Sequence, residues 1–210
     1  MIDELFNRYP QLKECREEIE NAVNMLIACY QKGGKLLLCG NGGSCADCDH
    51  IVGELMKGFL ELRPLSEEQK RKMKTSCTLL DDELLNKLQN GLPAIALPSI
   101  TALNSAFCND ADPELIYAQS LMALAKENDV LMGISTSGNS KNVFAAFKVA
   151  KGLGIHTIGL TGKTGGKIKT TADLCICVPE TETFKVQELH LPVYHAICAS
   201  LEEYFFSLRQ

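Results

Sequence analysis

Residues 129–140, DVLMGISTSGNS, constrain the chain most. Val130 to Ile134 form a short apolar run that reads as a buried strand. Ser135, Thr136, Ser137, Gly138, Asn139 and Ser140 follow at once. The next stretch, KNVFAAFKVAKGLG, reads as an amphipathic helix with Val143, Phe144, Phe147 and Ala150 on one stripe. It stops at Gly152 or Gly154. A hydroxyl-rich turn between a buried strand and a helix start suits an anion. Unpaired backbone N–H groups and the positive end of the helix dipole point at it, and the hydroxyls add donors without bulk. The alternative is an ordinary turn with N-capping serines. Four hydroxyls and a glycine in six residues favour phosphate.

A second unit has the same design. KLLLC, residues 35–39, reads as a strand. It runs into Gly40, Asn41, Gly42, Gly43 and Ser44, and then into a helix starting near Gly43. The dinucleotide fingerprint would need a glycine where Cys45 stands, and no Gly-Lys-Ser/Thr follows as in a P-loop. No nucleotide cofactor is therefore expected. Two such units predict an open α/β sheet with its ligand beyond the carboxyl ends of the strands.

Further strands are expected over 93–97, 156–160 and 174–178. Helices are expected over 2–9, 12–32, 117–125 and 186–206, and a loop over 109–113. The last helix carries Gln187, Glu188, His190 and His195, with Pro192 early enough to be tolerated. The polar stretch 60–91 reads as an inserted helical hairpin, with starts at Ser66 and Asp81. On the helix after the glycine loop, His50 and Glu54 lie four apart and share a face.

The chain has 210 residues and no long linker, which predicts one domain over 1–210. A net charge of −5 without a basic run argues against nucleic acid or an anionic membrane surface as partner. No apolar stretch is long enough for a membrane span, and the N-terminus has no signal core, so a cytoplasmic location is expected. The ten cysteines are scattered and mostly in apolar contexts, which reads as small buried hydrophobes in a reducing compartment. Cys45 and Cys48 form a lone CxxC without the partners of a structural zinc site.

The motifs CGNGGS (39–44), HIVGEL (50–55), Asn109-Asp110, GISTSGNS (133–140), LTGKTGG (160–166) and QELHLPVYH (187–195) occur in one order. With them the sequence resembles the sugar isomerase (SIS) domain family, and within it the phosphoheptose isomerases, over nearly the whole chain except 60–91. The resemblance implies a three-layer, flavodoxin-like, five-stranded parallel sheet with helices on both faces. It also implies a homotetramer with active sites between subunits. The implied reaction is an aldose–ketose isomerisation of sedoheptulose 7-phosphate to D-glycero-D-manno-heptose 7-phosphate through an enediolate. By motif, Ser135, Thr136, Ser137 and Ser140 would hold the phosphate. Asn41, Gly42, Gly43, Ser44, Asn109, Asp110 and Gln187 would hold the sugar, and Glu54 and His195 would be the acid/base pair. Zinc is a cofactor the resemblance allows, with His50, Glu54, Gln187 and His195 as ligands. The family's usual Asp three residues before the glutamine is Phe184 here. That departure keeps open an isomerase of another phosphorylated ketose. A non-catalytic sugar-phosphate sensor or protein-binding relative is the remaining alternative.

Overall fold

The apolar runs become five parallel strands: β1 (Leu36–Gly40), β2 (Ala94–Ala96), β3 (Val130–Ser135), β4 (His156–Thr161) and β5 (Leu174–Cys177). Their order across the sheet is β2-β1-β3-β4-β5. This is the doubly wound arrangement whose switch point lies between β1 and β3. The register pairs Leu36 with Val130 and Gly40 with Ile134, so the two strands end side by side. The computed structural model describes residues 2–207.

β1 and β3 are buried along their whole lengths, as a sheet covered on both faces requires. Alternate residues feed opposite layers. Leu36, Leu38, Val130 and Met132 face α1 (Ile2–Arg8), α2 (Arg16–Gln31), α3 (Gly43–Met56) and α10 (Thr183–Phe206). Leu37, Cys39 and Leu131 face α7 (Ile116–Leu124) and α8 (Lys141–Gly152). Between them in the chain lie α4 (Glu67–Ser76), α5 (Asp82–Lys87), α6 (Thr101–Asp110) and α9 (Gly166–Lys169).

Three expectations need correction. The single helix expected over 12–32 opens instead as a 3-10 turn, Pro10–Cys15, with Pro10 in its first turn, where no N–H is missed, and the α-helix begins only at Arg16. The loop expected at 109–113 is partly helical, since Asn109 and Asp110 close α6. The last helix begins at Thr183, three residues early. Pro192 therefore sits well inside the helix rather than in its first turns, and it is buried there. The cysteines also divide: Cys15, Cys29, Cys39, Cys48 and Cys198 are buried, while Cys77 and Cys108 are exposed.

The insertion is a helical hairpin as expected. Ser66 and Gln69 form a reciprocal capping box at α4, and the Asp81 side chain accepts the Leu84 N–H at α5. Lys70 reaches Asn86 at 2.8 Å and Lys74 pairs with Asp82, joining the two helices. Its root is not peripheral, however. Arg63 is buried, and its Nε lies 2.7 Å from Glu202 on α10. Its Nη1 and Nη2 donate to the carbonyls of Leu55 and Glu54 at 2.7 and 3.1 Å. Glu202 accepts further hydrogen bonds from the backbone N–H groups of Phe59, Leu60 and Glu61. This buried pair clamps the end of α3 to α10. Removing one partner of such a pair leaves an uncompensated buried charge. Arg63→Met is expected to lower unfolding free energy by about 3 kcal/mol in urea titrations; an unchanged midpoint would show that the pair is not structural.

Candidate active site

The loops after β1 and β3 lie side by side at the switch point. Asn41 and Asn142 pair amide to amide, at 2.8 and 2.9 Å, and so tie the first loop to the start of α8. The Tyr117 hydroxyl, 2.7 Å from the Gly40 carbonyl and 3.0 Å from Asn41 Oδ1, fixes that corner from below. Between the loops is a cavity of about 360 Å³. It is lined by Asn41, Gly42, Gly43, Ser44, Ser135, Thr136 and Ser140, with Thr183 and Gln187 of α10 opposite. No lining side chain carries a charge.

The hydroxyl loop is built to leave donors free. Ser140 stands at the N-cap of α8, yet its side chain caps no N–H of that helix. Its hydroxyl lies instead 2.9 Å from that of Ser135, itself buried at the end of β3. Ser137 does something else: its Oγ accepts the Asn139 N–H at 3.1 Å, shaping the turn, and it does not line the cavity. Gly138 has φ +65°, and a Cβ there would come within 2.0 Å of the Gly165 carbonyl oxygen, so only glycine lets the two turns touch. On the other loop a Cβ at Gly43 would come within 2.4 Å of Gln187 Nε2. The missing side chain lets Gln187 reach the cavity.

Asn109 and Asp110 are not brought to this cavity. They are exposed at the end of α6 and hydrogen-bond each other at 2.8 Å.

The cavity lining stops at Gln187. His195 lies eight residues further along α10, about 12 Å by helix rise, and there the other candidates gather. Glu54 Oε1 is 3.1 Å from His50 Nε2, and His195 Nε2 is 3.4 Å from the same nitrogen. The Glu54 side chain is 15% exposed and that of His50 42%, so solvent reaches the cluster from the imidazole side. Burial, and then the neighbouring His50, push the His195 pKa down, which favours its neutral form. His195 also lines a second hollow of about 380 Å³, with Arg8, Tyr9, Phe59 and Leu191 among its walls. Among the described residues, no three or more His, Cys, Asp or Glu side chains form a group set out to hold a metal.

Sequence reasoning missed two neighbours of the cluster. Tyr194 and Asp47 bond to one another beside His50. The spacing of Asp47 and His50, three apart on one helix, could have suggested a shared face, but nothing local to the sequence pointed to Tyr194.

His190, on the same helix, faces the core and is fully buried. Burial pushes its pKa down to about 4, against a smaller upward pull from the Thr161 backbone. The folded state thus keeps it neutral, while the unfolded chain takes up a proton below an ordinary pKa near ~6.5. The unfolded state binds more protons in that window, so stability falls as pH drops from about 6.5 toward 4. At pH 5 the loss is about 2 kcal/mol. Denaturant titrations at pH 7 and pH 5 should show it, and His190→Leu should flatten the dependence.

Comparison with known proteins agrees with this fold. The SIS domain model matches residues 102–204, and a second SIS domain model matches residues 2–89. Phosphoheptose isomerases from Aneurinibacillus thermoaerophilus and Clostridium acetobutylicum are each 40% identical, over 90% of this chain and 82% and 84% of theirs. The solved phosphoheptose isomerase of Neisseria gonorrhoeae superposes with a TM-score of 0.75 at 31% identity, covering 96% of this chain and 94% of that one. That of Francisella tularensis does so with the same TM-score of 0.75 at 28% identity, covering 96% of each chain. The chain belongs to the phosphoheptose isomerase family of SIS-domain proteins.

Proposed function

We propose that the chain, working as one SIS domain, converts sedoheptulose 7-phosphate to D-glycero-D-manno-heptose 7-phosphate. The observation that carries this reading is the meeting of Glu54 and His195 at one nitrogen of His50, two helix turns from a hydroxyl-lined, uncharged cavity.

In this reading the phosphate sits at Ser135, Thr136 and Ser140, against the N-terminus of α8. Ser137 supports it from behind by holding the turn. Helix dipole and neutral donors suffice for an anion at a helix start. The sugar runs along Asn41, Gly42, Gly43 and Ser44 toward Gln187, and its carbonyl end reaches the cluster. Glu54 takes the proton from C1, which leaves an enediolate with its charge on the oxygen at C2. Neutral His195 takes the proton from the hydroxyl at C1 and passes it to the oxygen at C2, and Glu54 returns its proton to C2. Both groups end as they began, as a reversible proton transfer needs.

Zinc belongs to the same proposal. Two imidazoles and a carboxylate are donor types that bind it; His50, Glu54 and His195, which meet, would hold the ion, with Gln187 the fourth ligand that the family resemblance implies. Bound there, it would polarise the substrate carbonyl as a Lewis acid.

The proposed assembly is a homotetramer with shared sites. Asn109 and Asp110, exposed and away from the cavity of their own chain, would then serve a neighbouring subunit's site. Sedimentation at micromolar concentration is expected to show a tetramer, and a fully active monomer would refute shared sites. A cytoplasmic location is supported by ten unpaired cysteines. Among the described residues, no helix is long and apolar enough to cross a membrane. A second reading, turnover of another phosphorylated ketose, is favoured by Phe184, which is 56% exposed next to the cavity-lining Thr183.

Glu54→Gln keeps shape and removes the base. Turnover of sedoheptulose 7-phosphate per folded molecule is expected to fall by roughly 10²–10⁴-fold with KM little changed. Wild-type turnover in that variant would overturn the assignment.

A further inference from the structure

Asn41 directly follows β1, and Asn142 is the second residue of α8. Asn41 lines the cavity and Asn142 does not. Their side chains close a ring of two hydrogen bonds. Asn41 Nδ2 donates to Asn142 Oδ1 at 2.8 Å, and Asn142 Nδ2 donates to Asn41 Oδ1 at 2.9 Å. Such a ring closes equally well with both amides turned over, so it does not fix its own direction.

The direction is set from outside the ring. The backbone N–H of Val143, in the first turn of α8, donates to Asn142 Oδ1 at 2.9 Å. Turned over, Asn142 would set its NH₂ against that N–H, donor against donor. With Asn142 fixed, Asn41 must keep its oxygen toward Asn142 Nδ2. That oxygen also faces the buried Tyr117 hydroxyl, whose hydrogen is shared between Asn41 Oδ1 at 3.0 Å and the Gly40 carbonyl at 2.7 Å. An amide oxygen has two lone pairs and its nitrogen two hydrogens. Both lone pairs of Asn41 are taken, and one hydrogen is taken by Asn142. Among the described residues the second N–H is unpaired. Turned over, Asn41 would instead give one N–H to Asn142 and one to the Tyr117 oxygen, and would offer the cavity an acceptor.

We infer that Asn142 is a positioning residue: held by Val143, it locks Asn41 as a hydrogen-bond donor, and that donor takes an oxygen of the sugar. A free asparagine can turn to suit either partner; a locked one is set before the ligand arrives. The choice of the sugar rests on the reading in which the phosphate lies at the hydroxyl loop and the carbon chain runs past Asn41. The direction of the amide does not rest on it.

The direction is tested by ¹H–¹⁵N correlation of asparagine-labelled protein, with Asn41→Ala assigning the carboxamide by its loss. Asn142→Ala should move the bonded Asn41 proton upfield, and Asn142→Ser serves if the alanine variant is unstable. Tyr117→Phe should leave both protons nearly in place, because neither is given to that hydroxyl. With sedoheptulose 7-phosphate, KM in Asn142→Ala should rise roughly 3–10-fold, the worth of one neutral hydrogen bond, with kcat near wild type. Adding Asn142→Ala to Asn41→Ala should raise KM little further, since both act through one amide. Inorganic phosphate should bind Asn142→Ala and wild type alike. An Asn41 proton that moves upfield in Tyr117→Phe, KM losses that multiply in the double variant, or a matching loss of phosphate affinity would overturn the inference. Carboxamide shifts as expected in a protein that turns over no ketose phosphate would uphold the direction of the amide and refute the isomerase reading instead.

Discussion

The buried pair of Arg63 and Glu202 holds the helix that carries Glu54 against the helix that carries His195. Glu54 lies near the end of α3, and Arg63 binds the carbonyl of that very residue and that of Leu55. His195 lies two turns before Glu202 on α10, and Arg63 binds that carboxylate as well. One guanidinium therefore sets how far the last turn of α3 stands from the C-terminal part of α10. Its planar fork suits this, since three of its donors reach three acceptors on two helices. Three backbone N–H groups of 59–61 complete the shell around Glu202, so both buried charges are answered. The insertion that looks like decoration on the sheet supplies this residue at its root.

The other end of the site follows a different logic. The cavity offers hydroxyls, amides and a helix N-terminus, and no charged side chain. An anion bound this way is fixed by direction rather than by net charge. That suits a substrate which must be held at one end while protons move at the other. The contact of the Gly138 turn with the Gly165 turn, and the amide pair of Asn41 and Asn142, keep the donors in place before anything binds.

Much of this was legible in the sequence. The two strand–loop–helix units, the sheet class and the face shared by His50 and Glu54 follow from local spacing. The hydroxyl loop named Ser135 and Ser140 correctly as neighbours, and it grouped with them Ser137, which turns away to brace the loop. Helix α6 was missed although Leu103, Ala106 and Phe107 recur at helical spacing; it buries none of its residues, and its end, Asn109-Asp110, is made of turn formers. Arg63 was hidden because it sits in a polar run, and its partner is 139 residues away. Tyr194 was hidden for the same reason, as it meets His50 across 144 residues. Local patterns reveal elements and faces; pairings across the sheet's covering layer come only from the fold.

The central claim is that a proton, taken from one carbon and returned to its neighbour, passes through side chains at the crossing of α3 and α10. Running the reaction of sedoheptulose 7-phosphate in deuterium oxide tests it most directly, with mass and NMR analysis of the heptose 7-phosphate formed. The account predicts deuterium at C2 of the product, because the proton on Glu54 exchanges with solvent before its return. Product formed at full rate with no deuterium at C2 would mean direct hydrogen transfer between the carbons and would contradict it.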